Sequence, residues 1–295
     1  LTKVAILVTG DLERVALAPS LRAMFPDVEF TTHKVNSITS TTVGSPPSSR
    51  ALREGAPAYE LIRRLWKMVT VPVNQGERPA DFAVAVDDVE LFNLLPHGSP
   101  AAVVELVRKA AAAFLCEQFS DDRARTRHAD TLRQQCSFHL LCPMVEAYFF
   151  GEPAALLRAG VPTSRAPQLR AGDLEDFTVN DPAFAAPTAP AWQQQRARRV
   201  SGGLNPDKHP KDYLDFLRDP TELTYSETTD GVRALETLAW PRIGASDTEV
   251  TLLRSLFEDL SDALGVVNPL GPGVTHSATW PARLVNRNAL SLRNL

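Results

Sequence analysis

Lys3-Val-Ala-Ile-Leu-Val-Thr-Gly-Asp-Leu-Glu13 is the stretch that decides the fold class. From Val4 to Val8 it is an unbroken apolar run with β-branched residues at alternate positions. Such a run fits a strand buried on both faces, and strands of that kind belong to parallel sheets covered by helices. Thr9-Gly10 closes the run. Asp11 is a plausible N-cap, and residues 11–25 read as a helix with Val15, Leu17, Leu21 and Met24 along one side. Pro26 stops that helix, and Val28 to Val35 reads as a second strand.

Working outward, residues 36–50 are rich in Ser, Thr, Gly and Pro and predict a surface loop. Tyr59, Ile62, Leu65, Trp66 and Val69 recur at helical spacing within 51–70. A third strand over 81–86 ends on Asp87-Asp-Val-Glu90. Helices follow over 100–119 and 121–135, then a short strand over 137–141 and a helix over 144–159 broken at Gly151-Glu-Pro153. This alternation predicts an α/β protein, an open, mainly parallel Rossmann-like sheet with flanking helices. Prolines at 162, 167, 182, 187, 190 and 206 interrupt any period between Val161 and Lys208. That stretch is expected to be a partly disordered connection or a loosely packed wrap. Helices return over 210–218, 229–239 and 246–264, the last opened by a Ser246/Glu249 capping box, and an irregular tail follows Gly265. The expected organisation is an α/β domain over 1–160, a proline-rich connection over 161–208 and a helical C-terminal extension over 209–295.

Composition narrows the function classes. The chain of 295 residues is 44% hydrophobic and 22% charged, with a formal net charge of −4. No overall positive field draws it to nucleic acid or to an anionic membrane, although a local basic patch is compatible with these values. Cys116, Cys136 and Cys142 are odd in number and form no C-x-x-C pair. They read as reduced thiols of a cytoplasmic chain, and they argue against cysteine-held zinc. No apolar run approaches the roughly 18 residues a membrane span needs, and no signal-peptide pattern opens the sequence.

Four constellations could carry chemistry. In Val8-Thr-Gly-Asp-Leu-Glu13 a strand end, a glycine turn and a helix start follow one another, the place where open α/β sheets bind ligands; the alternative is a tight turn with a capped helix. Asp87, Asp88 and Glu90 crowd three carboxylates after the third strand. A hard divalent ion such as Mg²⁺ or Mn²⁺ would relieve their repulsion; the alternative is a solvated acidic turn. Glu146 sits in an otherwise apolar helix start. If buried it needs a partner or a raised pKa; otherwise it is a first-turn Glu favoured by the helix dipole. Arg196-Ala-Arg-Arg199 and Lys208-His-Pro-Lys211 are basic and could meet a phosphodiester backbone through Arg198, Lys208 and Lys211, or form a solvated surface. The histidines lack metal-ligand spacing and no G-x-S-x-G elbow is present.

Several of these stretches together resemble a family. Ala5 to Glu13 resembles the opening strand of Toprim (topoisomerase–primase) domains, and Val84-Ala-Val-Asp-Asp88 resembles their acidic strand end. Met144-Val-Glu-Ala-Tyr-Phe-Phe-Gly-Glu-Pro-Ala-Ala-Leu156, His209-Pro-Lys-Asp-Tyr-Leu214 and Tyr225 with Gly231 are similar, in order, to stretches of small bacterial Toprim-like proteins encoded beside ABC- or SMC-type ATPases in defence regions. The resemblance implies a Mg²⁺-dependent (or Mn²⁺-dependent) nuclease acting in antiviral defence with an ATPase partner. Asp88 and Glu90 would be metal ligands with Asp87 as second choice, Glu13 would act as base or ligand, and Glu146 would complete the acidic pocket. One departure stands out: Thr9 occupies the position where the family has its first catalytic Glu. It admits the alternative of a catalytically degenerate Toprim-like subunit that binds an ATPase or other protein. A further alternative is an unrelated nucleotide-binding α/β protein using the Gly10 turn.

Overall fold

The computed structural model describes residues 1–38, 52–72, 76–89, 99–170, 174–244, 250–281 and 289–295. Four strands, β1 (Thr2–Val8), β2 (Val28–Lys34), β3 (Phe82–Asp88) and β4 (Cys136–Leu141), form one sheet in the order β2-β1-β3-β4. Every pairing is parallel, with Val8 opposite both Lys34 and Val86. The protein therefore has the open α/β, Rossmann/Toprim-like architecture that its alternating pattern predicts. The chain leaves β1 toward β2 on one side and reaches β3 on the other. The carboxyl ends of β1 and β3 thus flank a topological switch point, the usual ligand crevice of such sheets.

Both faces of the sheet are buried. Val4, Ile6 and Val8 enter one core with Val84 and Val86, while Ala5 and Leu7 enter a second with Ala83 and Ala85. The first core is covered by α1 (Asp11–Arg22) through Leu12, Leu17 and Leu21. The second is covered by α2 (Pro57–Thr70) and α3 (Pro100–Gln118), through residues such as Ile62, Leu65 and Val107. A more polar helix, α4 (Asp122–Gln135), leads into β4.

The region after β4 builds onto the first core and has no separate core of its own. A 3-10 helix (Val145–Gly151) and α5 (Pro153–Arg158) replace the single broken helix expected over 144–159. The tight turn buries Val145, Glu146, Ala147, Tyr148 and Phe149 together, leaving no polar face for an α-helix to present. Between 174 and 208 the chain is packed, contrary to the loose wrap expected. Phe177, Val179, Phe184 and Trp192 are buried. Its prolines start helices, as in α6 (Pro182–Ala185) and α7 (Pro190–Ser201), because a first-turn position loses no hydrogen bond to the missing N–H. Next come α8 (Pro210–Arg218), a π-helical turn (Glu227–Gly231), α9 (Val232–Leu235), α10 (Trp240–Gly244) and α11 (Thr251–Leu264). Tyr213, Leu214, Trp240, Leu253 and Phe257 from these elements share one cluster with Val4, Ile6 and Leu12. Burying each of Leu253 and Phe257 contributes about 1.5–3 kcal/mol relative to exposure.

The expected capping pair, Ser246 and Glu249, lies outside the described residues. The first turn of α11 is instead held by a distant side chain. Glu175 accepts from the backbone N–H of Leu252 at 2.9 Å and of Leu253 at 2.8 Å. The tail after Gly265 has no regular elements among the described residues, yet its last described segment covers the edge of β4. Arg293 N–H donates to the Cys136 carbonyl at 2.7 Å, and the Asn294 amide pairs with both backbone groups of Phe138. Among the described residues no helix is long and apolar enough to cross a membrane.

Candidate acidic functional site

The period of two along β3 sorts its terminal carboxylates. Asp88 follows Val84 and Val86 toward the α1 face, whereas Asp87 follows Ala83 and Ala85 to the opposite face. There Asp87 accepts from the Ser37 hydroxyl and from the Ile38 N–H, both at 2.9 Å. Asp87, expected as a second-choice metal ligand, is thus a staple for the chain leaving β2, on the face of the sheet opposite Asp88. Glu90 lies outside the described residues.

Glu13 reaches Asp88 from the first turn of α1. Asp11, the expected N-cap, is inside the helix and pairs with Lys34 at 2.6 Å and Arg14 at 3.3 Å. Gly10 is the N-cap, with no side-chain cap. The reason for a glycine is steric: a Cβ there would sit 1.8 Å from Glu13 Oε2. The glycine turn thus makes room for the Glu13 carboxyl, which folds back over it into the interior.

Glu146 closes the group from the 3-10 helix after β4. Tyr225 donates its hydroxyl to Glu146 Oε1 at 3.4 Å, and Lys211 Nζ, from the first turn of α8, stands 3.9 Å from the same oxygen. Lys211 also pairs with Glu227 on the π-helical turn. Gly231 ends that turn where a Cβ would meet the Tyr225 hydroxyl at 2.5 Å. Both glycines singled out in the sequence, Gly10 and Gly231, therefore leave space for a polar group of this pocket.

Burial and mutual repulsion set the electrostatics. Burial, then the charge of Glu146, pushes the Glu13 carboxyl up to about 7, and the Asp88 carboxyl can share a proton with it. Among the described residues Oε2 of Glu13 is buried without an N–H donor, which leaves a proton shared with Asp88 as its partner. Burial also raises Asp88, followed by the charges of Glu13, Glu146 and Asp87, with Lys211 opposing. Glu146 is raised by burial against the pull of Lys211. For Lys211, burial disfavours the charge, but Glu146, Glu227 and Asp88 outweigh it and hold the ammonium above its ordinary pKa. Among the described residues the buried Glu13 and Glu146 and the half-buried Asp88 thus share one ammonium, that of Lys211.

Carboxylate oxygens are donors that would suit a hard divalent cation such as Mg²⁺ or Mn²⁺ better than copper. Oε2 of Glu13, without an N–H donor, fits that assignment. Among the described residues no group of three or more His, Cys, Asp or Glu side chains already stands in a metal-holding arrangement.

The basic residues separate in a way the sequence does not show. Lys211 turns inward to the acids. Lys208 pairs with Asp176 at 2.5 Å, and Arg198 is exposed. Within the same run Arg196 pairs with Asp207 at 3.1 Å and Arg199 with Asp212, joining α7 to the start of α8. Tyr225 and Glu227 also belong to the pocket. Tyr225 carries a motif in the sequence but no chemistry that declares its role, and Glu227 gives no sequence signal. His139, fully buried on β4, is tied to Asp259 at 3.1 Å, and Asp259 to Arg293 at 2.9 Å; this chain of polar contacts anchors α11 and the 289–295 segment to the sheet. Comparison of the chain with models of known families, with curated proteins and with solved structures finds no match in any of the three.

Proposed function

We propose that the chain is a divalent-metal-dependent, phosphodiester-cleaving enzyme of the Toprim kind. The observation that carries this reading is the mutual influence of Glu13 and Glu146, both buried, and the half-buried Asp88, beyond the carboxyl ends of β1, β3 and β4. Asp88 and Glu146 would hold the ion. When bound, a divalent ion neutralises charge developing on the phosphate and makes water a stronger nucleophile. Glu13, whose carboxyl burial raises toward neutral pH, would act as the general base. Tyr225 and Lys211 orient Glu146. The exposed Arg198 offers a contact for a nucleic-acid backbone. The resemblance extends the proposal to a cytoplasmic protein working with an ABC- or SMC-type ATPase in antiviral defence.

The test is cleavage of DNA and RNA by the purified protein with Mg²⁺ or Mn²⁺, alone and with a co-purified ATPase. Asp88→Ala is expected to abolish metal-dependent cleavage. Absence of cleavage by the wild type under every one of these conditions would sink the enzymatic reading.

A second reading, a catalytically degenerate subunit that binds a partner, is favoured by Thr9 and by a pocket already holding a lysine. Calorimetry with Mn²⁺ separates the two. A site-specific heat that is lost in Asp88→Ala rules against the second reading.

A further inference from the structure

We propose that Lys211 is the built-in counter-ion of the acidic pocket, and that a divalent cation binds there in competition with it. The inference rests on the metal reading above and adds what sets the affinity of the site.

The observations are geometric. Lys211 leaves the first turn of α8 and reaches across to Glu146, with two-thirds of its side chain covered by protein. Among the described residues it is the cation whose charge bears on Glu13, Asp88 and Glu146 alike. The neighbouring cations are committed elsewhere: Arg218 and Arg233 to Asp230, and Lys34 to Asp11. Lys211 is already paired with Glu227 on the π-helical turn, a partner with 39% of its side chain accessible, and stands farther from Glu146, at 3.9 Å. A lysine is a point charge on a flexible stem, so it can give up the Glu146 side and stay with Glu227 without breaking a fixed fork of hydrogen bonds. An ion entering among the three acids gains their attraction, but it meets the repulsion of the ammonium until that group moves out. Lysine at this position therefore keeps the acids tolerable when no ion is bound, and lowers divalent affinity in exchange.

Titration calorimetry of the full chain with MnCl₂ tests this, comparing the wild type with Lys211→Met and Lys211→Arg. Removing one positive charge at this range is expected to tighten Mn²⁺ binding by about tenfold or more, and Lys211→Arg is expected to bind as the wild type does. Equal or weaker binding by Lys211→Met, with measurable binding by the wild type, overturns the competition and leaves the metal reading standing. Absence of Mn²⁺ heat in all three proteins overturns the metal reading itself, and the competition with it. If Lys211→Met does not fold alone, the readout becomes refolding. Recovery of its helical circular dichroism with MnCl₂ but not with NaCl supports the competition, and no recovery with MnCl₂ overturns it.

Discussion

Replacing Glu13 by Gln removes a buried negative charge while keeping the shape of the side chain, and its effect on stability has a defined dependence on pH. The Glu13 carboxyl holds its proton up to about 7 in the folded protein, against an ordinary value of 4.5. A proton bound more tightly by the folded state favours folding wherever that proton is present. The stability of the wild type therefore falls as pH rises from about 4.5 through about 7, and levels off above. A shift of this size corresponds to roughly 3 kcal/mol at pH 8. Asp88 and Glu146 are raised too and act in the same direction. Asp212, Asp230 and Asp259 have lowered values, so their contributions are lost only as pH falls below the ordinary Asp range. Between pH 5 and pH 8 the lowered histidines, His33, His128, His209 and His276, act in the opposite direction, but they are common to both proteins, so the difference between variant and wild type reports the pocket. Urea unfolding followed by circular dichroism, without divalent metal, should show Glu13→Gln within about 1 kcal/mol of the wild type near pH 5 and more stable by up to roughly 3 kcal/mol at pH 8. The reasoning is refuted if the variant is no more stable than the wild type at pH 8, or if it loses as much stability as the wild type across the interval.

Gly10→Ala would place a methyl group on the Glu13 carboxyl but leave an ordinary backbone conformation (φ −94°, ψ 159°). Because the obstructing atoms are the end of a flexible side chain, the cost in stability should stay within about 1–3 kcal/mol, while metal-dependent cleavage falls sharply; thermal melting and a cleavage assay on the same preparation separate the two. Asp259→Ala should cost about 3–5 kcal/mol in chemical unfolding, because it leaves the Arg293 charge without its buried partner; a loss below about 1 kcal/mol would show that the Asp259 link does not anchor α11.

The strands were legible because their residue types admit few readings. β1 is apolar on both faces and β3 alternates Val and Ala before its acids, so the parallel sheet follows from pattern alone. The separation of Asp87 from Asp88 was also present in that period of two, but it becomes decisive only once each face is known to carry a different layer. Glu13 could be suspected from its place after the glycine turn, though not its fold-back over Gly10, which is a matter of steric fit. Lys211 could not be placed. Beside Lys208 and the arginine run it looks like part of a basic surface, and only the packing of α8 against the 3-10 helix turns it toward Glu146. The stretch around Phe184 and Trp192 misled for a related reason. Its prolines erase periodicity, so the anchoring aromatic residues stand without a pattern around them.

The first core joins the beginning of the chain to its last helix, and this sets the order in which the pocket can exist. Its acids come from three points within the first half of the sequence, whereas the lysine and the phenol arrive from the second half. A partly folded intermediate with only the sheet formed would gather the repelling groups and lack the one that reconciles them. Such an intermediate is penalised at the pocket itself, and docking of α8 and the Glu227–Gly231 turn relieves the penalty. Assembly of the pocket is thus coupled to completion of the fold.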